Sequence, residues 1–207
     1  MKKFTNIFEA KSDYIDNDTK ELLGKKLTTA LAEEINAWYA YFITYNYLRG
    51  TTQRDSVAKM FEFTAQDELE HHARMILNRL NELGLAPLSL TTLSDINNVA
   101  NHKYIIPTFI KSGDTDDYYV LVTTALRQNI EAEKGAIDTY KDLERFTRDI
   151  DPVTNKLAKE LLEDEEHHLS ELSDFLNDIT IDSNDKTYIM TPQEFNNIAT
   201  ISDYENY

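Results

Sequence analysis

A chain of 207 residues is long enough for one domain with a substantial core, and 41% apolar with 28% charged residues is the make-up of a soluble globular protein. The formal net charge of −16 sets it against polyanions such as nucleic acid, since basic residues cluster nowhere beyond Lys2-Lys3 and Lys25-Lys26. Cysteine is absent, which excludes disulfides, thiolate metal sites, iron–sulfur clusters and cysteine nucleophiles. No run of about 18 apolar residues offers a membrane span, and the start MKKFTNIFEAKSDY lacks the apolar stretch of a signal peptide. The expectation is a cytoplasmic acidic globule, attractive to small cations, whose metal ligands are oxygen and nitrogen only.

Glycine and proline are few and punctuate long periodic segments, which predicts four long helices. The first runs from about Asp18 to Arg49 and stops at Gly50. The second starts near Ser56 and ends before Gly84. The third opens after Asp114-Thr115-Asp116 and runs to about Thr147. The fourth opens with Asp151-Pro152, an N-cap followed by proline in the first turn, and runs to about Leu176. Short joints inside each pair imply two antiparallel hairpins, and the long stretch between them implies a crossover running the length of the bundle. The crossover leaves a helix around Leu93–Ala100 open. The strand-like run KYIIPTFI is interrupted by Pro107, so the fold class is all-α. The bundle is expected over residues 1–180. An acidic extension follows over 181–207, with a short helix opened by the capping box Thr191-Pro192-Gln193-Glu194.

The helical seams carry charge where apolar residues belong. The first reads Leu27, Leu31, Glu34, Trp38, Tyr41, Tyr45, and the third reads Leu126, Ile130, Glu133, Ile137, Tyr140. Each has one glutamate, an alanine three residues on and a tyrosine seven residues on. The second reads Phe61, Thr64, Glu68, His71, Met75, and the fourth reads Leu161, Glu165, His168, Leu172. In both, Glu and His three apart share one face. The chain is thus a duplicated helical hairpin, with two lone glutamates and two Glu-x-x-His pairs at similar depth. Four buried carboxylates without partners would each cost several kcal/mol, and no seam position supplies Lys or Arg. Two divalent cations meet that need, with Glu34, Glu68, His71, Glu133, Glu165 and His168 as ligands and at least one carboxylate bridging. Oxygen and imidazole donors suit Fe or Mn, and Zn is chemically compatible. Shifted pairings such as Glu68/His72 or Glu163/His167 remain open, although on the seam His72 and His167 read as solvated or supporting residues. Glu33 and Glu131 fall off the seam and read as surface. Tyr41 and Tyr140 are either core aromatics or hydrogen-bond donors to a ligand carboxylate. Asp67 and Asp164, each preceding a ligand glutamate, are placed to orient a histidine N–H.

These segments resemble the ferritin-like superfamily, most closely its bacterioferritin and Dps-like branch, over about residues 20–177. "EEINAWYAYF", "AQDELEHHARMILNRLNELGLAP" and "DPVTNKLAKELLEDEEHHLSEL" are similar to the first, second and fourth helices of that branch. The resemblance implies a ferritin-like four-helix bundle and a ferroxidase using Fe(II) with O2 or H2O2. Glu34, Glu68, His71, Glu133, Glu165 and His168 would hold two irons per subunit, bridged by Glu68 and Glu165. It also implies a homo-oligomeric cage of 12 or 24 subunits that stores iron. Four departures are visible. Leu69 stands where bacterioferritins carry the haem-ligating methionine, so no haem is expected. The cysteine pair of archaeal-type relatives is missing, and so are a basic DNA-binding tail and rubredoxin cysteines. A non-storing di-metal peroxidase or manganese catalase uses the same ligand set and is the alternative reading.

Overall fold

A computed structural model describes residues 15–48, 52–86, 93–101 and 118–184. Helix α1 spans Asn17–Leu48. Helix α2, Thr52–Asp67, runs through a π turn at Glu68–His72 into α3, Ala73–Glu82, so that these three pieces form one long rod. A short helix α4, Leu93–Val99, lies in the crossover, and α5, Tyr118–Thr147, and α6, Pro152–Asn184, complete the bundle. The described residues contain no strand, and the architecture is an all-α four-helix bundle. Helix α1 packs along α2, and α5 along α6, which gives the two expected hairpins.

Local chemistry sets the helix ends. Asp16 caps α1: its carboxylate accepts from the Thr19 backbone N–H at 2.9 Å and from the Thr19 hydroxyl at 2.7 Å. Asp151 caps α6 with the Val153 N–H at 3.2 Å, and Pro152 takes the first helical position. Helix α3 ends in a Schellman motif, in which Leu85 N–H reaches the Leu80 carbonyl and Gly84 N–H the Asn81 carbonyl, both at 2.9 Å. Gly84 sits at φ 65, a conformation glycine adopts without strain. Leu85 then packs so near Gly24 of α1 that a Cβ there would lie 3.0 Å from its Cδ1.

Two boundaries differ from the sequence expectation. The second helix begins at Thr52, ahead of Ser56, and α6 continues past Leu176 to Asn184. The segment after Leu176 lacks proline and glycine, so nothing in it stops a helix. The crossover does carry a helix, whose Ile96 and the following Ala100 pack on Ala32 of α1. The capping box at Thr191 and the short helix expected after it lie outside the described residues, as do His102 and the 103–110 run.

The core is divided. One apolar cluster gathers Tyr41, Leu48, Val57, Phe61, Leu126 and Ile130, and a second gathers Leu23, Leu27, Leu31, Ile76, Leu80, Leu143 and Leu161. Between them, across the four long rods of the bundle, sits one buried polar level containing Glu34, Glu68, Glu133 and Glu165. The two clusters close the ends of that level and keep water from it.

Candidate metal centre

The polar level consists of two overlapping groups. Ligand atoms of Glu34, Glu68, His72 and Glu165 lie within 4.8 Å of one another, and so do those of Glu68, Glu133, Glu165 and His168. Glu68 and Glu165 belong to both. Each group thus offers one carboxylate and one imidazole of its own plus two shared carboxylates, the donor set of a dinuclear centre.

Both imidazoles turn Nδ1 inward. His72 Nδ1 lies 3.0 Å from Glu68 Oε2, 3.2 Å from Glu34 Oε2 and 3.2 Å from Glu165 Oε1. His168 Nδ1 lies 3.4 Å from Glu68 and 3.4 Å from Glu165. The rings stack with centroids 5.6 Å apart. Their Nε2 atoms point outward to the aspartates of the opposite hairpin: His168 to Asp67 at 3.3 Å, and His72 to Asp164 at 3.5 Å. The tyrosines cross in the same way. Tyr41 of α1 donates to Glu133 of α5, and Tyr140 of α5 donates to Glu34 of α1. The duplicated sequence therefore folds into a site whose halves support each other.

A cation fits this pocket on the chemistry of its atoms. Buried oxygens of Glu68, Glu133 and Glu165 and Nδ1 of His168 have no hydrogen-bond partner among the described residues. The ion-pair partners of Glu34, Glu68 and Glu165 there are His72 and His168 alone. The buried Arg79 of this rod is engaged elsewhere: its guanidinium binds Asp151 at 2.6 Å and Thr154 at 2.8 Å, fixing α3 to the start of α6. Orphaned buried acceptors on this scale call for a partner, and a cation held by these oxygens and nitrogens would meet that need.

The buried carboxyls and imidazoles shift one another's affinity for protons. Burial, reinforced by the charges of Glu68 and Glu165, raises the Glu34 carboxyl well above its usual range, and burial with the same two neighbours does so for Glu133. The central pair behaves oppositely. Burial pushes Glu68 and Glu165 up, yet the His72 and His168 imidazolium groups overcome it and leave both lowered. Burial opposes charge on the two histidines, but the carboxylates around them raise both well above 6.5. The shifts pair the two groups: protons are favoured on His72 and His168 and on the outer carboxyls of Glu34 and Glu133, and disfavoured on the shared carboxyls of Glu68 and Glu165.

The structure gathers five of the six ligand candidates, Glu34, Glu68, Glu133, Glu165 and His168, and puts His72 rather than His71 beside them. The His71 side chain is 49% exposed, with Nε2 3.9 Å from Asp164. The cause is the π turn. The Ala73 N–H donates to the carbonyl of Glu68, five residues back instead of four, and the wider turn takes in one extra residue. That residue is visible once the two motifs are set side by side: Asp67-Glu68-Leu69-Glu70-His71-His72 against Asp164-Glu165-Glu166-His167-His168. Aligned on their His-His pairs, the second histidine of each is the buried one, and the first stays out, His167 being 66% exposed. Glu33 is a second correction: expected at the surface, it is 1% exposed, because helix α4 covers it and the Asn101 N–H donates to its carboxylate at 2.9 Å. Glu131 is exposed, paired with Lys134 at 2.6 Å.

A four-helix bundle whose seams converge on a buried carboxylate–imidazole dinuclear pocket defines the class of protein. The chain belongs to the ferritin-like family: the ferritin-like domain matches residues 24–181. It is similar in structure to the bacterioferritin-related protein of Bacteroides fragilis, a dodecameric thioferritin. The two are 30% identical over 84% of this chain and 94% of that one, with a TM-score of 0.71. The same fold is seen in a mutant form of Mycobacterium smegmatis Dps1, at 15% identity over 78% and 99% of the chains and a TM-score of 0.65. It is seen again in Rhodobacter capsulatus bacterioferritin, a haem-iron protein described with a metal-free dinuclear site. That chain is 20% identical over 86% and 93% of the chains, with a TM-score of 0.58. No curated protein sequence matches the chain.

Proposed function

We propose that the protein is a ferroxidase that binds two Fe(II) ions per chain in this pocket and oxidises them with O2 or H2O2. The observation that carries the reading is the pair of four-residue groups sharing Glu68 and Glu165, sealed between two apolar clusters. Fe(II) is the substrate. Glu34 with His72 would hold one ion, Glu133 with His168 the other, and the shared glutamates would bridge them. Two ions held this close deliver two electrons to one oxidant: O2 with two protons becomes H2O2, or H2O2 with two protons becomes two waters. Nitrogen and carboxylate donors without thiolate suit iron, and Mn or Zn are accepted by the same set. Leu69 brings no sulfur where a haem would need a ligand.

The chain's own residues prepare the site for this. The raised proton affinities of His72, His168, Glu34 and Glu133 mean that cation entry competes with protons at these four groups, so binding releases protons. Asp67 and Asp164 face the outward Nε2 atoms of His168 and His72 at 3.3 and 3.5 Å, which favours Nδ1 as the nitrogen presented to the metal. Tyr41 and Tyr140 hold the two outer carboxylates by hydrogen bonds. The likeness to a dodecameric relative supports a homo-oligomeric cage that retains the oxidised iron.

The test is an anaerobic Fe(II) titration of the metal-free protein, then admission of O2 or H2O2 with gel filtration of the product. Two Fe(II) per chain, rapid oxidation, and further iron carried in a large particle agree with a storage ferroxidase. Two bound irons with no retained mineral would replace storage by a peroxidase or catalase role, and absence of stoichiometric binding would remove the reading.

A further inference from the structure

We propose that His71 is a reserve ligand of this centre, brought in when the π turn yields its place on the helix. The inference rests on the reading that the pocket binds two metals. In α6 the Glu-to-His step is three residues and the helix is regular, whereas in the α2–α3 rod the step to the buried His72 is four residues and needs the π turn. If the extra residue moves past His72 towards α3, Glu68 and His71 fall into the regular three-residue relation that Glu165 and His168 already have. His71 then occupies the ligand position and His72 turns out.

Three observations favour the exchange. The two imidazoles are neighbours, with ring centroids 5.6 Å apart. Both address the same outer carboxylate oxygen, Asp164 Oδ2, which lies 3.5 Å from His72 Nε2 and 3.9 Å from His71 Nε2. The core resists little. Between His72 and Ile76 only Ala73 is buried, while Met75 is half-buried and Arg74 exposed, so the stretch that must rotate carries little side chain out of the packing. π turns of this kind occur as single-turn insertions in α-helices, frequently at functional sites. The second hairpin has no counterpart: its His167 lies two residues from Glu165, across the helix.

The experiment is Co(II) titration of metal-free protein followed by visible absorption, with circular dichroism and gel filtration on each variant. Wild type is titrated alongside. His72→Ala is expected to keep two Co(II) per chain, the second more weakly bound, and His72→Asn to do the same should the alanine variant fold poorly. The double variant His71→Ala/His72→Ala is expected to bind one. Deletion of the exposed Glu70 makes the motif match that of α6, locks the helix regular and leaves His71 on the wrong face. In that background His72→Ala should bind one Co(II), not two. A folded His72→Ala protein that binds one Co(II) while wild type binds two would overturn the reserve role alone. Fewer than two in the wild type would overturn both this inference and the dinuclear site.

Discussion

Asp67 lies beside Glu68 in sequence, but its carboxylate sits 3.3 Å from Nε2 of His168, on the other hairpin. Asp164 reciprocates, at 3.5 Å from Nε2 of His72. An imidazole whose outer nitrogen is so engaged has its tautomer and ring orientation set before metal arrives. Replacing Asp67 by Ala should weaken metal binding by about 10- to 100-fold, with Asn, which keeps an acceptor, less harmful. Competition titration against a chelator reads this directly. Equal affinity in Asp67→Ala and wild type would remove the aspartate from the site.

Tyr41 and Tyr140 reach across the bundle to Glu133 and Glu34, so each hairpin donates to the outer carboxylate of the other. Tyr41→Phe keeps the ring in its cluster with Phe61 and removes only the hydroxyl. The metal-free variant should lose about 1–3 kcal/mol, the cost of leaving a buried acceptor unmade. Urea unfolding with an unchanged m-value checks it; a stability equal to wild type would mean the hydroxyl contributes nothing.

The pH response of the metal-free protein should be inverted relative to that of the loaded one. His72 and His168 are raised well above 6.5 in the fold, so their contribution is complete below about 6.5 and is lost as pH rises through the raised values. Glu34 and Glu133 are raised too, and their contribution fades above 4.5 in the same direction. Glu68 and Glu165 are lowered, so theirs holds above 4.5 and is lost in acid. Thermal melts should show metal-free Tm falling as pH climbs above neutrality. Metal affinity should rise over the same range, since binding releases protons. A metal-free Tm that increases with pH there would contradict the raised proton affinity of the two histidines.

Arg79 joins the end of α3 to the cap of α6 through Asp151 and Thr154, all three buried. Arg79→Met removes the guanidinium from the buried Asp151 carboxyl and should cost about 3–5 kcal/mol. Because this network engages none of the site's glutamates or histidines, metal stoichiometry should stay at the wild-type value. Calorimetry of the folded variant, loaded and metal-free, separates the two effects.

The seam glutamates were legible because a carboxylate interrupting an apolar stripe is conspicuous, and because it recurs in a duplicated register. Helix ends with side-chain caps, such as Asp151-Pro152, were equally readable. His72 was obscured for a physical reason: regular helical spacing makes Glu68-x-x-His71 the natural pair, and a π turn leaves no mark in apolar periodicity. The one available sign was the additional residue in Asp67–His72 relative to Asp164–His168. Glu33 was hidden differently. Its burial comes from helix α4 of the crossover, a long-range contact that a one-helix pattern does not contain. The crossed pairing of aspartates and tyrosines likewise needs the two hairpins in place.

The most direct test of the account is the double variant Glu68→Ala/Glu165→Ala, which removes both shared carboxylates. Its Fe(II) oxidation with O2 or H2O2 is followed by stopped-flow absorbance, and its fold by circular dichroism. The expected outcome is a helical protein with no stoichiometric Fe(II) binding and oxidation no faster than in buffer. Wild-type oxidation rates in that folded variant would contradict the dinuclear centre at this level of the bundle.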